Sequence, residues 1–233
     1  MKPQALLRIT GILVICLCMS CGDNPSSAVV EPAAIVERDQ ALADLAVLRP
    51  EDVGRGWELI EVAGSSDLAD IEVCTDAIEA TTRSRLEPTG VAEAWLSNSS
   101  DDNMSITSSV LVFPTDEAAV RILESWSSSD LPECLDASLE TDFEAADTTA
   151  RQGFDEIEST SRFIEHPLLG DDGVSTQTRS VVSGAIGERS IVQDFFMTRV
   201  GRSLVLTGTV TEDGYVSPSE IIEPVIRRLT SPI

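Results

Sequence analysis

The apolar positions of this chain change period along its length, and the changes mark the elements. Pro50, Glu51 and Asp52 open a short helical turn with acids at its N-terminal end. Gly54 and Gly56 break it, and Trp57 to Val62 reads as a strand. Thr75 to Leu86 has a helical pattern with Thr75 as its N-cap. Val91 to Ser97 and Met104 to Phe113 are rich in β-branched and aromatic residues and predict two strands. Thr115 starts the clearest helix: Asp116 and Glu117 fill the first turn, and Ala119, Ile122, Leu123 and Trp126 make a core-facing stripe. Residues 133–158 set nine acids against Arg151 alone and read as an exposed connection, a hinge between two halves.

The second half is more sheet-like. Glu156 to Ile164, Val174 to Val182 and Arg189 to Val200 predict three strands, and Gly201-Arg202 suits a type II′ hairpin into "SLVL". "SPSEIIEPVIRRL" closes the chain as a helix with a Ser217/Glu220 capping box, Pro218 at its first position, and Arg227 and Arg228 near its C-terminal dipole. Pro224 inside it predicts a kink or a late start. Each half thus sends strands into one amphipathic helix. The expected fold is α+β, an antiparallel sheet with helices packed on one side, in two halves of similar order.

The first forty residues follow a different rule. Met1 to Arg8 carries Lys2 and Arg8 and no acid, Ile9 to Met19 is apolar, and Ser20 precedes Cys21. This is the pattern of a secretory leader, and the apolar run is shorter than the ~20 residues that span a bilayer. Cleavage before Cys21 resembles the processing of bacterial lipoproteins, whose cysteine carries diacylglycerol; Cys18 stands where that family has leucine. The resemblance implies residues 1–20 as signal peptide and a membrane partner reached through lipid on Cys21. Residues 21–40 are polar and proline-punctuated and read as a flexible tether spanning about 25 Å. Residues 41–233 form the extracytoplasmic domain.

Five cysteines less Cys16 and Cys18 of the leader leave Cys21, Cys74 and Cys134. With Cys21 acylated, an even pair remains, which an oxidising compartment favours as a disulfide. A Cys74–Cys134 bond would close a loop of about 60 residues and stabilise by up to about 4 kcal/mol in the chain-entropy model.

Charge excludes some partners. Beyond the leader, 14 arginines face 40 acids with no lysine, a net −26 that repels nucleic acid and anionic headgroups. Candidate chemistry is sparse. His166 is the single histidine and stands before Pro167 without a nucleophile motif, so it reads as a loop residue and no catalytic residue is assigned. Zinc sites need several His or Cys, so no metal or cofactor is expected. "SDDN" at 100–103, "GDDG" at 170–173 and "TEDG" at 211–214 read as turns rather than calcium loops. Glu156 and Glu158 share one strand face, which fits acid–base work in principle, but with 40 acids such pairs occur by chance and an exposed face explains them. Trp57, Trp95 and Trp126 sit among apolar neighbours and read as core.

"LADLAVLRPEDVGRGWELIEV", Cys74, "SSVLVFPTDEAAVRILESW" and "LPECL" with Cys134 together resemble the extracytoplasmic sensor-type domains of actinobacterial lipoproteins and PknH-like receptor kinases. The likeness spans residues 42–230 in element order. It implies a non-catalytic domain that binds a small molecule or envelope component. A scaffold lipoprotein partnering another envelope protein is the second reading, and an acidic-residue hydrolase the third.

Overall fold

In the computed structural model the chain divides into two units, Met1–Val30 and Glu31–Ile233. The structure describes residues 32–60, 87–99, 101–145, 153–165, 167, 169–212 and 218–231. Its elements are α1 (Pro32–Ala46), α2 (Pro50–Val53), β1 (Trp57–Leu59), β2 (Gly90–Asn98), β3 (Asp101–Val112), α3 (Asp116–Trp126), α4 (Leu131–Ala145), β4 (Phe154–Phe163), β5 (Asp172–Gly184), β6 (Gly187–Val200), β7 (Ser203–Glu212) and α5 (Pro218–Thr230). The expected helix over 75–86, the Ser217 cap, and Cys21, Cys74 and His166 lie outside the described residues.

All seven strands join one antiparallel sheet in the order β1-β2-β3-β7-β6-β5-β4. Two meanders meet at its centre, where β3 pairs β7 from Ser105↔Val210 to Val112↔Ser203. The similar order of the halves is visible as β1-β2-β3-α3 and β5-β6-β7-α5, while α4 and β4 have no counterpart among the described residues. Of the hinge expected over 133–158, residues 146–152 lie outside the described residues, and nearly all the rest is regular structure. Residues 131–145 are helical and 154–163 form an edge strand of the same sheet. Leu131 and Leu135 are buried on α4, and Leu139 and Phe143 continue their four-residue spacing.

Side chains alternate across a strand, so neighbours along β7 serve opposite faces. Leu204 and Leu206 join Phe113, Ala119, Leu123 and Trp126 around α3, with Leu131 and Leu135 of α4 and Met197 of β6. Val205 joins the other core, with Ala43 and Ala46 of α1, Ala92, Leu96, Ile106 and Val110, and Ile221 and Val225 of α5. Helices therefore cover both faces, α3 and α4 the first and α1 and α5 the second, rather than the one side expected. The reason is in β7 itself: seven consecutive residues from Ser203 to Thr209 are buried, and a strand buried on both faces needs a layer on each.

The local expectations hold where strong caps set them. The Thr115 hydroxyl accepts from the Ala118 N–H at 3.2 Å, and Ala119, Leu123 and Trp126 are buried below it. Gly201 takes φ 56° in the two-residue β6–β7 turn, the positive φ that primed hairpin turns require. Helix α5 starts at Pro218 and runs through Pro224, whose missing N–H leaves the Glu220 carbonyl without its helical donor.

Residues 32–40, expected within the tether, are the first turns of α1. That helix lies unusually close to the sheet. A Cβ placed on Gly90 would come within 2.3 Å of the Asp39 carbonyl oxygen, so only glycine lets the helix backbone rest against the start of β2. Gly90→Ala is expected to cost about 1–3 kcal/mol by forcing α1 off the strand. A urea-unfolding midpoint equal to wild type would contradict this close approach.

Candidate functional site

The second face of β5, β6, β7 and β3 departs from ordinary core composition. Register places Ser175, Phe196, Thr207 and Ser108 in one row across it, and Gln177, Asp194, Thr209 and Ile106 in the next. Threonine suits extended backbone through its β-branching, yet here threonine and serine occupy positions where a core would carry valine or leucine. Ser108, Ser175, Thr207 and Thr209 are each at most 1% exposed, and Asp194 is 3% exposed.

Satisfaction of these groups is uneven. Gln177 Nε2 donates to Asp194 Oδ1 at 2.8 Å, and Arg162 donates to Gln177 Oε1 at 2.8 Å, which makes a chain of side chains from the exposed edge to the buried carboxyl. The hydroxyls of Ser108, Ser175 and Thr207 have no partner among the described residues. The first face provides the contrast. There Ser159 and Ser180 bond each other at 2.9 Å, and Ser161 and Thr178 at 2.6 Å. Two hydroxyl pairs on one face thus contrast with three open hydroxyls, among the described residues, on the other. Each orphaned hydroxyl costs roughly 1–3 kcal/mol relative to a satisfied or apolar one.

Burial raises the pKa of Asp194 above the ordinary aspartate range, partly offset by the Gln177 hydrogen bond and by the charge of Arg162. The neighbouring cations are engaged elsewhere: Arg179 donates to Ser190, and on α5 Arg227 pairs with Glu223 and Arg228 with Asp52. Of the acids on that helix, Glu220 is solvent-exposed. Because the folded pKa lies above the unfolded one, the folded state binds the extra proton. Stability therefore falls as pH rises from ~3.9, the unfolded value, through the raised folded value. Asp194→Asn keeps an acceptor for Gln177 and removes the ionisation. It is expected to raise the urea midpoint at pH 7, with the gain shrinking toward pH 4. An equal gain at both pH values would show that the carboxyl does not titrate in this way.

A second buried carboxylate serves a different purpose. Asp39 is fully buried and takes both arms of the Arg202 guanidinium, one of them at 2.7 Å, and the Thr89 hydroxyl at 2.5 Å. Arg202 also donates to the Phe113 carbonyl at 2.6 Å. Every strong donor and acceptor here is used, so the cluster is a tie between α1 and the β6–β7 turn.

The residues singled out from the sequence are dispersed. Asp171 of "GDDG" accepts from the Gly201 N–H at 2.6 Å and from Arg199, and Gly170 has φ 76°, in keeping with turn chemistry. Glu156 and Glu158 are exposed on edge strand β4. Trp126 is buried, Trp57 packs against the second-face core, and Trp95 is half-buried. Cys134 lies on α4 and is disulfide-bonded, its partner falling outside the described residues. Asp194 was missed by sequence reasoning. Its signal is a lone acid within "SIVQDFFMTRV", two positions before Phe196 and so on the same strand face.

No family model matches the chain, and no curated protein does. Among solved structures it is similar to the extracellular domain of PknH from Mycobacterium tuberculosis, at 14% identity and a TM-score of 0.43, with 83% of this chain and 93% of that one covered. Among the described residues, no helix is long and apolar enough to cross a membrane.

Proposed function

We propose that the chain is an exported lipoprotein, held at the membrane through lipid on Cys21, whose α+β domain binds a small molecule at the Asp194 strip without transforming it. The basic, apolar and small-residue pattern before Cys21 supports export and anchoring. A Cys74–Cys134 disulfide fits that location, and the bonded state of Cys134 supports it.

One observation carries the binding reading. Three buried hydroxyls without partners among the described residues share a sheet face with a buried carboxyl held by the neutral Gln177 amide. Apolar isosteres at these positions would stabilise the fold, so the hydroxyls have their best account in complementarity to a ligand. They offer hydrogen bonds rather than an activated nucleophile, since no base among the described residues reaches any of them.

The test is the double variant Ser108→Ala/Thr207→Val in the full chain. It should unfold at higher urea than ligand-free wild type, by about 1–2 kcal/mol, and lose the small molecule that wild type retains on purification. A variant no more stable than wild type, or one that retains the same molecule, would overturn the reading. Separately, Cys21→Ala should move the protein from membrane to soluble fraction; continued membrane association would remove the anchor.

A further inference from the structure

We infer that two copies of this chain pair edge to edge through β4, antiparallel about Thr160, and so continue the sheet across a two-fold axis. The pairing needs no ligand and goes beyond the binding reading. Strand β4 ends the sheet, so one side of its backbone has no strand beside it among the described residues. Ile164 donates its N–H to the Ser175 carbonyl, which fixes the hydrogen-bonding phase of the β4–β5 ladder. The register is unbroken from Glu156↔Ser183 to Phe163↔Thr176, so even-numbered residues bond β5 and odd-numbered ones face away. The outward N–H and C=O groups belong to Ile157, Ser159, Ser161 and Phe163, and none has a backbone partner among the described residues. Such an edge is a template for a further strand.

The side chains choose which strand. Outward from Thr160, β4 is its own complement: Ser159 against Ser161, Glu158 against Arg162, Ile157 against Phe163. An antiparallel second copy centred on Thr160 sets each of these opposite its counterpart, twice over by symmetry. The same centre puts odd residues opposite odd ones, so the outward backbone groups meet in hydrogen-bonding phase. Register and chemistry agree. On the exposed second face, Glu158 meets Arg162 of the second copy as an opposite-charge cross-strand pair. Arg162 donates to Gln177 Oε1, and a guanidinium has further donors for that carboxylate. Helix α4 packs against β4 on the first face, yet Phe163, beyond buried Ser159, is 40% exposed. Pairing lays Ile157 of the second copy beside it.

Neighbouring centres fit less well. A dyad at Glu158 sets that carboxylate against its own copy, and like charges directly opposite repel. A dyad at Ser159 opposes Ile157 to Ser161 and Phe163 to Asp155, which wastes the apolar pair. The net charge of −24 resists association at long range. Salt screens that repulsion beyond about 8 Å at physiological strength, while the edge contacts act inside this distance.

The experiment oxidises the full chain carrying Thr160→Cys, purified in mild detergent at about 50 μM, and reads the dimer on a non-reducing gel. Opposed residues at a non-hydrogen-bonded position have Cα atoms about 4.5 Å apart, within disulfide reach. Thr160→Cys is expected to cross-link at least about tenfold more than Glu156→Cys or Glu158→Cys, which the dyad holds apart from their own copies. Adding Glu158→Arg, which faces arginine with arginine, should cut the Thr160→Cys cross-link about tenfold, and adding Arg162→Glu as well should restore it. These positions are all exposed, so the variants are expected to fold as wild type does. No cross-link at Thr160→Cys, or a stronger one at Glu158→Cys, would overturn the inference. So would a charge swap that fails to recover the dimer.

Discussion

Arg202→Ala is expected to destabilise the protein by about 3–5 kcal/mol, the usual consequence of leaving one member of a buried ion pair without the other. Asp39 is fully buried, and its carboxylate takes both arms of this guanidinium together with the Thr89 hydroxyl. With Arg202 gone, Thr89 alone cannot compensate the charge, and the Phe113 carbonyl loses a donor as well. The Arg202 hydrogen bond holds the Asp39 pKa below its ordinary value, against burial, with Thr89 adding to the lowering. The sign follows from that depression. The pair stabilises fully above ~3.9, the unfolded value, and its contribution disappears as pH falls through the folded value. Urea denaturation from pH 7 down to pH 2 should show an acid limb in wild type that is reduced in Arg202→Ala. The double variant Asp39→Ala/Arg202→Ala should cost less than the sum of the single changes. A loss below about 1 kcal/mol for Arg202→Ala would mean the carboxylate finds water or another donor.

Arg228→Ala follows at about 2–4 kcal/mol. Its guanidinium donates to both oxygens of Asp52 at 2.8 and 2.7 Å and to the carbonyls of Ala46 and Val47 at 3.0 Å each. One side chain of α5 thus ties down α2 and caps the C-terminal end of α1, where carbonyls have no helical donor. Burial opposes ionisation of Asp52, but the hydrogen bonds from Arg228 and the Arg49 N–H outweigh it and the pKa is lowered. Arg228→Lys should recover only part of the loss, because an ammonium cannot match the two-oxygen fork and the carbonyls together. Thermal unfolding of the three proteins side by side decides it; full recovery by lysine would show that charge alone matters.

These two ties have a common effect on the candidate site. Both hold helices of the second face, α1 through Asp39 and α5 through Arg228, and on that face α5 packs against β6 and β7. The unpartnered hydroxyls of Thr207 and Ser108 lie on that face, in the rows next to Val205 and Val110 of the core. Fixing the helices by buried ion pairs leaves the sheet positions between them available for polar side chains.

The strands, the Thr115 cap and the β6–β7 hairpin were legible because each rests on neighbours in sequence: alternation, a capping hydroxyl three residues from its donor, a glycine at positive φ. Helix α1 was not, because the face it buries is Ala43, Ala46 and Asp39, too small and too polar to print an amphipathic pattern. Its anchor, Arg202, stands 163 residues away. Helix α4 was masked by its acids, which dominate the composition of a stretch whose leucines are correctly spaced. Placement of helices on both faces was implicit in the near-continuous small and apolar run of β7, a feature read locally as one more strand. Asp194 was hidden by numbers: among 40 acids, one inside a strand draws no notice until register shows what surrounds it. The orphaned hydroxyls could not be seen at all, since whether a serine is paired depends on cross-strand register.

The central claim is that this domain carries a small molecule on the Asp194 face, and the mass of the full chain tests it most directly. The protein should be purified from membranes in mild detergent and weighed under native and then denaturing conditions, beside Asp194→Asn. The account predicts extra mass in the native wild-type spectrum, absent after denaturation and absent from the variant. A bare native wild-type chain, or an adduct equally present on Asp194→Asn, would contradict it.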